Sequence, residues 1–247
     1  MILQSLDRGL QALNLLASRD CVSVTELAEA LEINKSTASR IMETLRQHDM
    51  VQIDKTTRKY KLGFRILYLG ERLGSYLEVI DIARPILMEV SRYLGQSVHL
   101  CAYSHSMVYV IDQIVSNLPY TMSARVGMIE PIHSSSVGKC IMAYQTREKV
   151  DEILNGYEME SYTEKTITDK ERLLEEFESI REQGYAVDDE EMFLSVRCIA
   201  VPIFDYHNNV RYAIGISGPI GLMSTEKLEL YKKKLESAAK KIGVKLK

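Results

Sequence analysis

Apolar residues recur at helical spacing through the first fifty residues of the chain. Leucines three and four positions apart place one apolar stripe on a first helix, which needs a packing partner: Leu3, Leu6, Leu10, Leu13 and Leu16. The segment from Ser23 to Glu26 has the S-x-x-E form of a capping box and begins a short second helix. Asn34 is placed to cap a third helix, whose apolar side chains face inward. Two short helices joined by a tight connection predict a helix-turn-helix.

An alternating pattern follows the third helix. Residues 50–53 and 59–62 alternate apolar and polar positions around the polar stretch 54–58, as the two strands of a β-hairpin do. This hairpin would be the wing of a winged helix-turn-helix. Residues 63–76 return to helical period and predict a linker helix, in which Leu67, Leu69 and Leu73 are available to pack on a neighbour.

Helical and strand-like segments are mixed through the rest of the chain. A helix over 78–94, interrupted near Pro85, is followed by strands at 97–103 and 107–114. Helices near 139–144, 149–154 and 171–183 come next, then strands at 198–204 and 211–217 and a closing helix from Thr225. This order predicts an α+β sheet domain covered by helices. We therefore expect a DNA-binding domain over 1–63, a linker helix over 64–77 and a larger domain over 78–247.

The composition is that of an ordinary globular protein, with 46% hydrophobic and 26% charged residues in 247. No apolar run approaches the roughly 18 residues that cross a bilayer, and the N-terminus has no signal pattern. We expect a cytoplasmic protein that binds no membrane. The four cysteines form no CxxC pair, which indicates reduced thiols and neither a zinc knuckle nor a disulfide framework.

Charge is divided unevenly along the chain. The net charge is −3, yet residues 1–65 carry ten Lys and Arg against eight Asp and Glu. Only this first part is attracted to phosphate. The outward half of the third helix and the tip of the wing offer residue types that contact base edges and phosphates: Lys35, Ser36, Thr37, Arg40, Lys55 and Arg58. We predict that they bind double-stranded DNA. The alternatives are a solvated polar face or a winged helix that binds protein.

Seven segments in this order resemble the IclR family of bacterial transcription regulators over essentially the whole chain. They are SLDRGLQALNLLA, NKSTASRIMETL, YKLGFRILYLG, HSSSVGKCIMA, GYAVDDEE, VRCIAVPIFD and GISGPIG. The resemblance implies a GAF-like effector-binding domain, homodimers that often pair as a dimer of dimers, and a pseudo-palindromic operator. The function expected is regulation of transcription, as a repressor, with operator binding controlled by a small organic acid such as a keto acid or sugar acid.

The resemblance also implies which residues bind this small carboxylate effector. Carried over by motif, they are Ser136 and Val137 as backbone N–H donors, with Asp188, Cys198, Gly215 and Ser217, and Met122 and Val196 as apolar lining. The physical chemistry agrees, because a helix that opens near Gly138 presents free N–H groups to an anion. We expect Asp188 to disfavour effectors with a second carboxylate close to it.

One position departs from the family pattern, which often has a hydroxyl residue two places before Ser217. Gly215 stands there, so a lost donor or a larger pocket is expected. Each site residue also has a structural interpretation: Cys198 as a small core residue, Asp188 and Asp189 in a turn, and residues 134–136 as a helix cap.

Two other classes of protein are alternatives to a regulator that binds a small acid. An enzyme is disfavoured, because no G-x-S-x-G elbow is present and HSSSVGKC fails the phosphate-loop pattern, so no catalytic residue and no cofactor is expected. A metal-responsive regulator would use scattered N, S and O ligands, whose spacing does not show convergence: His99, Cys101, His133, Asp188 and Cys198. We expect no metal.

Overall fold

The computed structural model describes residues 2–74, 78–116 and 124–246 of the chain. It divides into two compact units, residues 1–76 and residues 77–247. No helix in these described stretches is long and apolar enough to span a bilayer.

The N-terminal unit begins with three helices, α1 (Gln4–Ser18), α2 (Val24–Ala30) and α3 (Lys35–Gln47). The predicted capping box is present, because the Ser23 hydroxyl accepts from Glu26 N–H while the Glu26 carboxylate accepts from Ser23 N–H. The Asn34 carboxamide oxygen accepts from the N–H of Thr37 and so caps α3, as predicted. These two caps fix where each helix of the helix-turn-helix begins.

A short antiparallel hairpin completes the winged helix, with β1 (Val51–Ile53) paired to β2 (Tyr60–Leu62). Helix α4 (Phe64–Gly74) follows it. Apolar side chains from all three helices and the hairpin form one buried core: Ala12, Leu16, Val22, Leu27, Ala28, Ala38, Met42 and Val51. The predicted winged helix-turn-helix is confirmed.

The N-terminal part of α1 keeps its apolar stripe in solvent. Leu16 is buried, but Leu3, Leu6 and Leu10 are 68%, 59% and 52% exposed. The leucines of α4 that were expected to pack on a neighbour, Leu67 and Leu73 among them, are also exposed. Within this unit as described, helices α1 and α4 therefore carry more apolar side chains than the core of the unit buries.

The C-terminal unit is built on a curled antiparallel sheet. Its strands are β3 (Ser97–Ser104), β4 (Met107–Ile114), β5 (Ile129–Glu130), β6 (Ala186–Asp189), β7 (Val196–Phe204) and β8 (Val210–Pro219). The described strands lie in the order β5-β4-β3-β8-β7-β6. Two central strands, β3 and β8, are therefore neighbours although more than a hundred residues separate them.

Helices cover both faces of this sheet. Helices α5 (Glu78–Leu94) and α9 (Thr225–Gly243) share one buried cluster with the sheet residues Val98, Leu100 and Ile216. Helices α6 (Ser136–Ala143), α7 (Arg147–Leu154) and α8 (Lys170–Gln183) share the other cluster with Cys101 and Ala213. Because side chains alternate between faces along a strand, every second residue of β3, β7 and β8 points to the α6 side.

Three details differ from the sequence predictions. Helix α5 runs through Pro85 without interruption, and Pro85 is exposed, so the carbonyl that lacks its partner can be solvated. Helix α6 begins at Ser136, three residues before the predicted start. The short strands β5 and β6 were not predicted, because two to four residues carry too little alternation to reveal a strand.

Candidate functional sites

The recognition helix α3 presents its predicted contact residues unequally. Lys35 and Arg40 are exposed, and no described residue forms an ion pair with either. Thr37 is partly exposed. The Ser36 hydroxyl donates to the Asn34 carboxamide at 2.7 Å. Its hydrogen is therefore already used in the helix cap. The two cations are therefore available to bind phosphates or bases.

The wing also has both paired cations and cations that form no ion pair with a described residue. Lys59 pairs with Glu26 at 2.8 Å and Lys61 pairs with Asp54 at 3.1 Å. Lys55 and Arg58 are exposed, and within the described stretches neither belongs to an ion pair. Paired lysines hold the wing on its own unit, while the unpaired cations at its tip are available to a polyanion.

In the C-terminal unit, a polar row crosses the α6 face of the sheet. The strand register places Asp188 opposite Cys198, Cys198 opposite Ser217, and Ser217 opposite Ser97. Three of the predicted effector residues are therefore direct cross-strand neighbours on β6, β7 and β8. Asp188 is buried, whereas Cys198 and Ser217 are partly exposed.

The side chains of this row are close enough to one another to influence their pKa values. The Cys198 thiol lies within hydrogen-bonding reach of both the Ser217 hydroxyl and the Asp188 carboxyl. One Asp188 oxygen accepts from Glu191 N–H at 2.7 Å and more weakly from Met192 N–H at 3.3 Å, which is the turn role weighed for it. Burial raises the pKa of Asp188, and burial likewise raises the pKa of the Cys198 thiol. The row thus offers an uncharged thiol and hydroxyl beside one poorly solvated carboxylate.

The N-terminus of α6 lies against this face. Ser135 is the N-cap, and its side-chain hydroxyl accepts from Gly138 N–H while its carbonyl accepts from Lys139 N–H. The N–H groups of Ser136 and Val137, both buried residues, donate to no group in the described stretches. These are the two donors that the sequence assigned to an anion.

Gly138 is needed for this arrangement. A Cβ atom at this position would lie only 2.3 Å from the carbonyl oxygen of Pro131, which is inside van der Waals contact. The loop before α6 can therefore pass close to the helix only where the side chain is a hydrogen atom.

Gly215 lies on the same face of β8 two residues before Ser217, and the space above it is filled, contrary to the larger pocket that was one expectation. A Cβ atom at Gly215 would meet His99 Nε2 at 2.7 Å and Val137 Cγ1 at 3.0 Å. The missing hydroxyl side chain is thus replaced by an imidazole from the next strand. Val196 is buried at 8% exposure at the far end of the face, and Met122 lies outside the described residues.

Sequence reasoning missed a buried ion-pair cluster behind the site. Lys139 is 1% exposed, and its ammonium group contacts Glu191 at 2.5 Å and Glu176 at 3.0 Å. Burial raises the pKa of Glu191 to about 7, although Lys139 opposes this shift. Glu130 on β5 is also buried, and burial raises its pKa. No sequence pattern indicated that Glu191 or Glu130 belongs to the site, because these two acids are far apart in the chain. Only the order of the strands brings them near the site.

The groups weighed for a catalytic or metal site do not converge. Both ring nitrogens of His133 are hydrogen-bonded at 2.9 Å, one to the Tyr157 hydroxyl and one to the Glu160 carbonyl. In the part of the chain that the structure describes, no group of three or more His, Cys, Asp and Glu is placed to bind a metal ion. His133 therefore has a structural role in this loop.

Comparisons with known families agree with this architecture. The model of the bacterial transcriptional regulator IclR C-terminal domain matches residues 71–244, and that of the IclR helix-turn-helix domain matches residues 5–55. The chain is thus covered by two models from one family, in the order that the structure shows.

Individual relatives are similar along most of their length. The HTH-type transcriptional regulator KdgR of Escherichia coli is 34% identical over 91% of this chain and 86% of its own. The transcriptional repressor IclR of the same organism is 31% identical over 97% of this chain and 88% of its own. A solved IclR homolog from Microbacterium hydrocarbonoxydans is 22% identical, covers 97% of both chains and superposes with a TM-score of 0.80, which shows a shared fold.

Proposed function

This chain belongs to the IclR family of bacterial transcriptional regulators, and we propose that a small organic acid controls its binding to operator DNA. It is a DNA-binding regulator of transcription. The relatives that it matches are regulators and not enzymes, which supports the same absence of catalysis here. The acid binds in the C-terminal unit, and regulation is repression, as the name of the IclR repressor indicates for that relative.

We assign DNA binding to residues 1–63, a linker to 64–77 and effector binding to 78–247. Arg40 and Lys35 on α3 contact the major groove, with Ser36 and Thr37 beside them, because their residue types suit base edges and phosphates. Lys55 and Arg58 at the wing tip contact the adjacent phosphates or the minor groove. The support for this surface is that its exposed cations form no ion pair with any residue described, while the neighbouring wing lysines are already in ion pairs.

One observation carries the effector proposal. Two N–H groups at the start of α6, which donate to no described residue, lie on the same sheet face as the Asp188, Cys198 and Ser217 row. An effector carboxylate accepts from the N–H groups of Ser136 and Val137, where the positive end of the helix dipole also favours an anion. Ser217 donates to the same ligand, and Gly215 and Val196 form its walls, together with Met122.

The charge at the site restricts which acids fit. Asp188 is buried and one of its oxygens is already hydrogen-bonded, so a second carboxylate placed beside it would meet a like charge. A monocarboxylic keto acid, sugar acid or aromatic acid avoids this repulsion. The solved homolog of this fold from Microbacterium hydrocarbonoxydans was crystallised with 4-hydroxybenzoate, which is one such monocarboxylate.

The regulator acts as a homodimer or a dimer of dimers. Leu3, Leu6 and Leu10 form an exposed apolar stripe that a second copy of the chain would cover. A two-fold dimer also matches the symmetry of a pseudo-palindromic operator, since each subunit then reads one half-site.

The test is fluorescence anisotropy of the full chain on labelled DNA from upstream of its own gene. Binding is measured at two salt concentrations, with and without a panel of keto, sugar and aromatic monocarboxylates. We expect binding that weakens with salt and that at least one acid shifts by about fivefold or more. Binding that is insensitive to every acid would remove effector control and leave only the DNA-binding assignment.

A matched variant assigns the effect to the site. Ser217→Ala should reduce the response to the acid while leaving DNA affinity in its absence unchanged. Ser224→Ala is the control, because Ser224 precedes α9 and its side chain makes no cap hydrogen bond. Equal loss of DNA binding and acid response in Ser217→Ala would contradict the division of labour between the two units.

A further inference from the structure

A buried histidine without a hydrogen-bond partner lies next to the proposed effector site. His99 on β3 is 4% exposed, and its ring nitrogens bond to no group in the described stretches of the chain. Register places it opposite Gly215 on one side and opposite Gln113 on the other. Buried polar groups are nearly always satisfied in folded proteins, so an unpartnered imidazole in a core calls for a ligand or another cause.

Gln113 adds a second free polar group at the same place. Its side-chain amide nitrogen is buried and has no hydrogen-bond partner among residues 2–74, 78–116 and 124–246. Because His99 and Gln113 are direct cross-strand neighbours, their side chains point to the same face of the sheet. The His99 ring and the Gln113 amide nitrogen, neither of which bonds to a described residue, thus lie side by side next to the row that contains Ser217.

His99 is also close to the start of α6. Its Nε2 atom and the Val137 Cγ1 atom both lie within 3.0 Å of the point where a Cβ of Gly215 would be. The absence of a side chain at Gly215 is therefore what allows the imidazole to reach the helix. A ligand whose carboxylate is bound by the Ser136 and Val137 N–H groups has this imidazole beside it.

The charge state of His99 determines what it can recognise. Burial lowers the pKa of His99 to about 4, so the ring is neutral near pH 7. A neutral imidazole has one donor nitrogen and one acceptor nitrogen, and the Gln113 amide nitrogen is a donor only. Together they match an oxygen that is uncharged and, when it is a hydroxyl, can both accept and donate.

We propose that His99 and Gln113 form a second polar subsite of the effector pocket, which recognises a hydroxyl or carbonyl oxygen of the acid. The effector is then a hydroxy or keto monocarboxylate, and simple alkyl or unsubstituted aromatic acids bind more weakly. This inference rests on the proposed function, since it needs the carboxylate to be bound at α6. It makes His99 a specificity-determining residue for that ligand.

The experiment compares acids that differ by one oxygen. Isothermal titration calorimetry of the full chain is run with three matched pairs: butyrate and 4-hydroxybutyrate, propionate and 3-hydroxypropionate, benzoate and 4-hydroxybenzoate. The expected result is that the wild-type chain prefers the hydroxylated member of at least one pair by about tenfold. His99→Leu should bring this ratio close to one by losing affinity for the hydroxylated acid alone. Gln113→Leu should reduce the ratio in part.

A second measurement separates ligand recognition from a structural role. Since His99 bonds to no group that the structure describes, His99→Leu should leave the melting temperature of the unliganded chain unchanged or raise it. A lower melting temperature would show that the imidazole supports the fold and would overturn the proposal. If His99→Leu does not fold, the wild-type histidine ring is followed by NMR, where the hydroxylated acid should shift its nitrogen resonances and the matched acid should not.

The outcomes distinguish the two levels of inference. If acids bind but the preference for the oxygenated member persists in His99→Leu and Gln113→Leu, this subsite is wrong and the proposed function stands. If hydroxylated and unsubstituted acids bind wild type equally, the subsite is likewise wrong. If no acid binds and none alters DNA affinity, the effector proposal fails and the subsite fails with it.

Discussion

The two units place their functional groups in opposite environments. In residues 2–74 the four cations assigned to DNA, Arg40 and Lys55 among them, are exposed and form no ion pair with a described residue. In the C-terminal unit the polar groups of the site, Asp188 and His99, are buried on one face of a sheet. One unit thus carries its chemistry on its surface and the other carries it inside its core.

This difference determines how strongly the residues of each site affect the free energy of unfolding of their own unit. An exposed cation takes part in no packing, so its removal changes binding and leaves stability almost unchanged. A buried charge must be compensated by partners, as Lys139 is by Glu191 and Glu176. Binding and stability should therefore be separable in the N-terminal unit and coupled in the C-terminal unit.

The largest effect is expected from Lys139→Ala. Removing the buried ammonium leaves Glu191 and Glu176 without their partner, and breaking a buried pair from one side costs about 3–5 kcal/mol. Urea unfolding at pH 7 measures the free energy of unfolding. Lys170→Ala is the control, because Lys170 pairs with Asp151 at the surface and its loss should cost about 1 kcal/mol or less. Equal losses in the two variants would contradict the view that burial makes the C-terminal pair costly.

An intermediate effect is expected from Arg40→Ala. Loss of one groove contact should weaken specific DNA binding by about 10- to 100-fold, while the free energy of unfolding changes by about 0.5 kcal/mol or less. The matched control is Arg46→Ala on the same helix, whose guanidinium is already bound to Glu43 at 2.7 Å. Anisotropy on operator DNA and urea unfolding are measured for both. A large loss of stability in Arg40→Ala would remove the contrast between the units.

The smallest effect concerns the pH dependence of stability. Burial raises the pKa of Glu191 from its usual 4.5 to about 7, so the native state holds this proton more tightly than the unfolded chain. The stabilisation is complete below pH 4.5 and is lost as the pH rises through 7. The slope for one group is at most about 1.4 kcal/mol per pH unit.

Glu191→Gln tests whether Glu191 is the source of this pH dependence. The variant cannot titrate at this position, so its free energy of unfolding should fall less steeply between pH 5 and pH 7.5 than that of the wild type. Glu43→Gln is the control, because Glu43 is a half-exposed residue of α3 in the other unit. An unchanged slope in Glu191→Gln would place the pH dependence elsewhere, for instance at Asp188 and Glu130, whose pKa values burial also raises.

Local signals were enough for the winged helix. Ser23 with Glu26, and Asn34, fix the helix starts through hydrogen bonds to residues three positions away, so the relevant partners are neighbours in the sequence. The prediction that helix α5 is interrupted near Pro85 was wrong because it too used only local information. A local rule about proline cannot see that the residue faces solvent on an otherwise well-packed helix.

The resemblance to a family predicted which residues bind an effector, and the sheet shows how those residues are placed relative to one another. Asp188, Cys198 and Ser217 come from three strands, and only their register makes them one row. His99 entered the sequence reasoning as a scattered metal ligand. Its position opposite Gly215 instead explains why a hydroxyl position of the family is a glycine here.

The sequence by itself determined the order of the elements, the winged helix-turn-helix and the segregation of positive charge in the first 65 residues, because these follow from periodicity, caps and composition. The tertiary structure alone decided which polar groups meet on the α6 face and which are buried. Strand order β5-β4-β3-β8-β7-β6 joins segments far apart in the chain. Burial, pairing and the pKa of Glu191 depend on those long-range neighbours, which no local pattern contains.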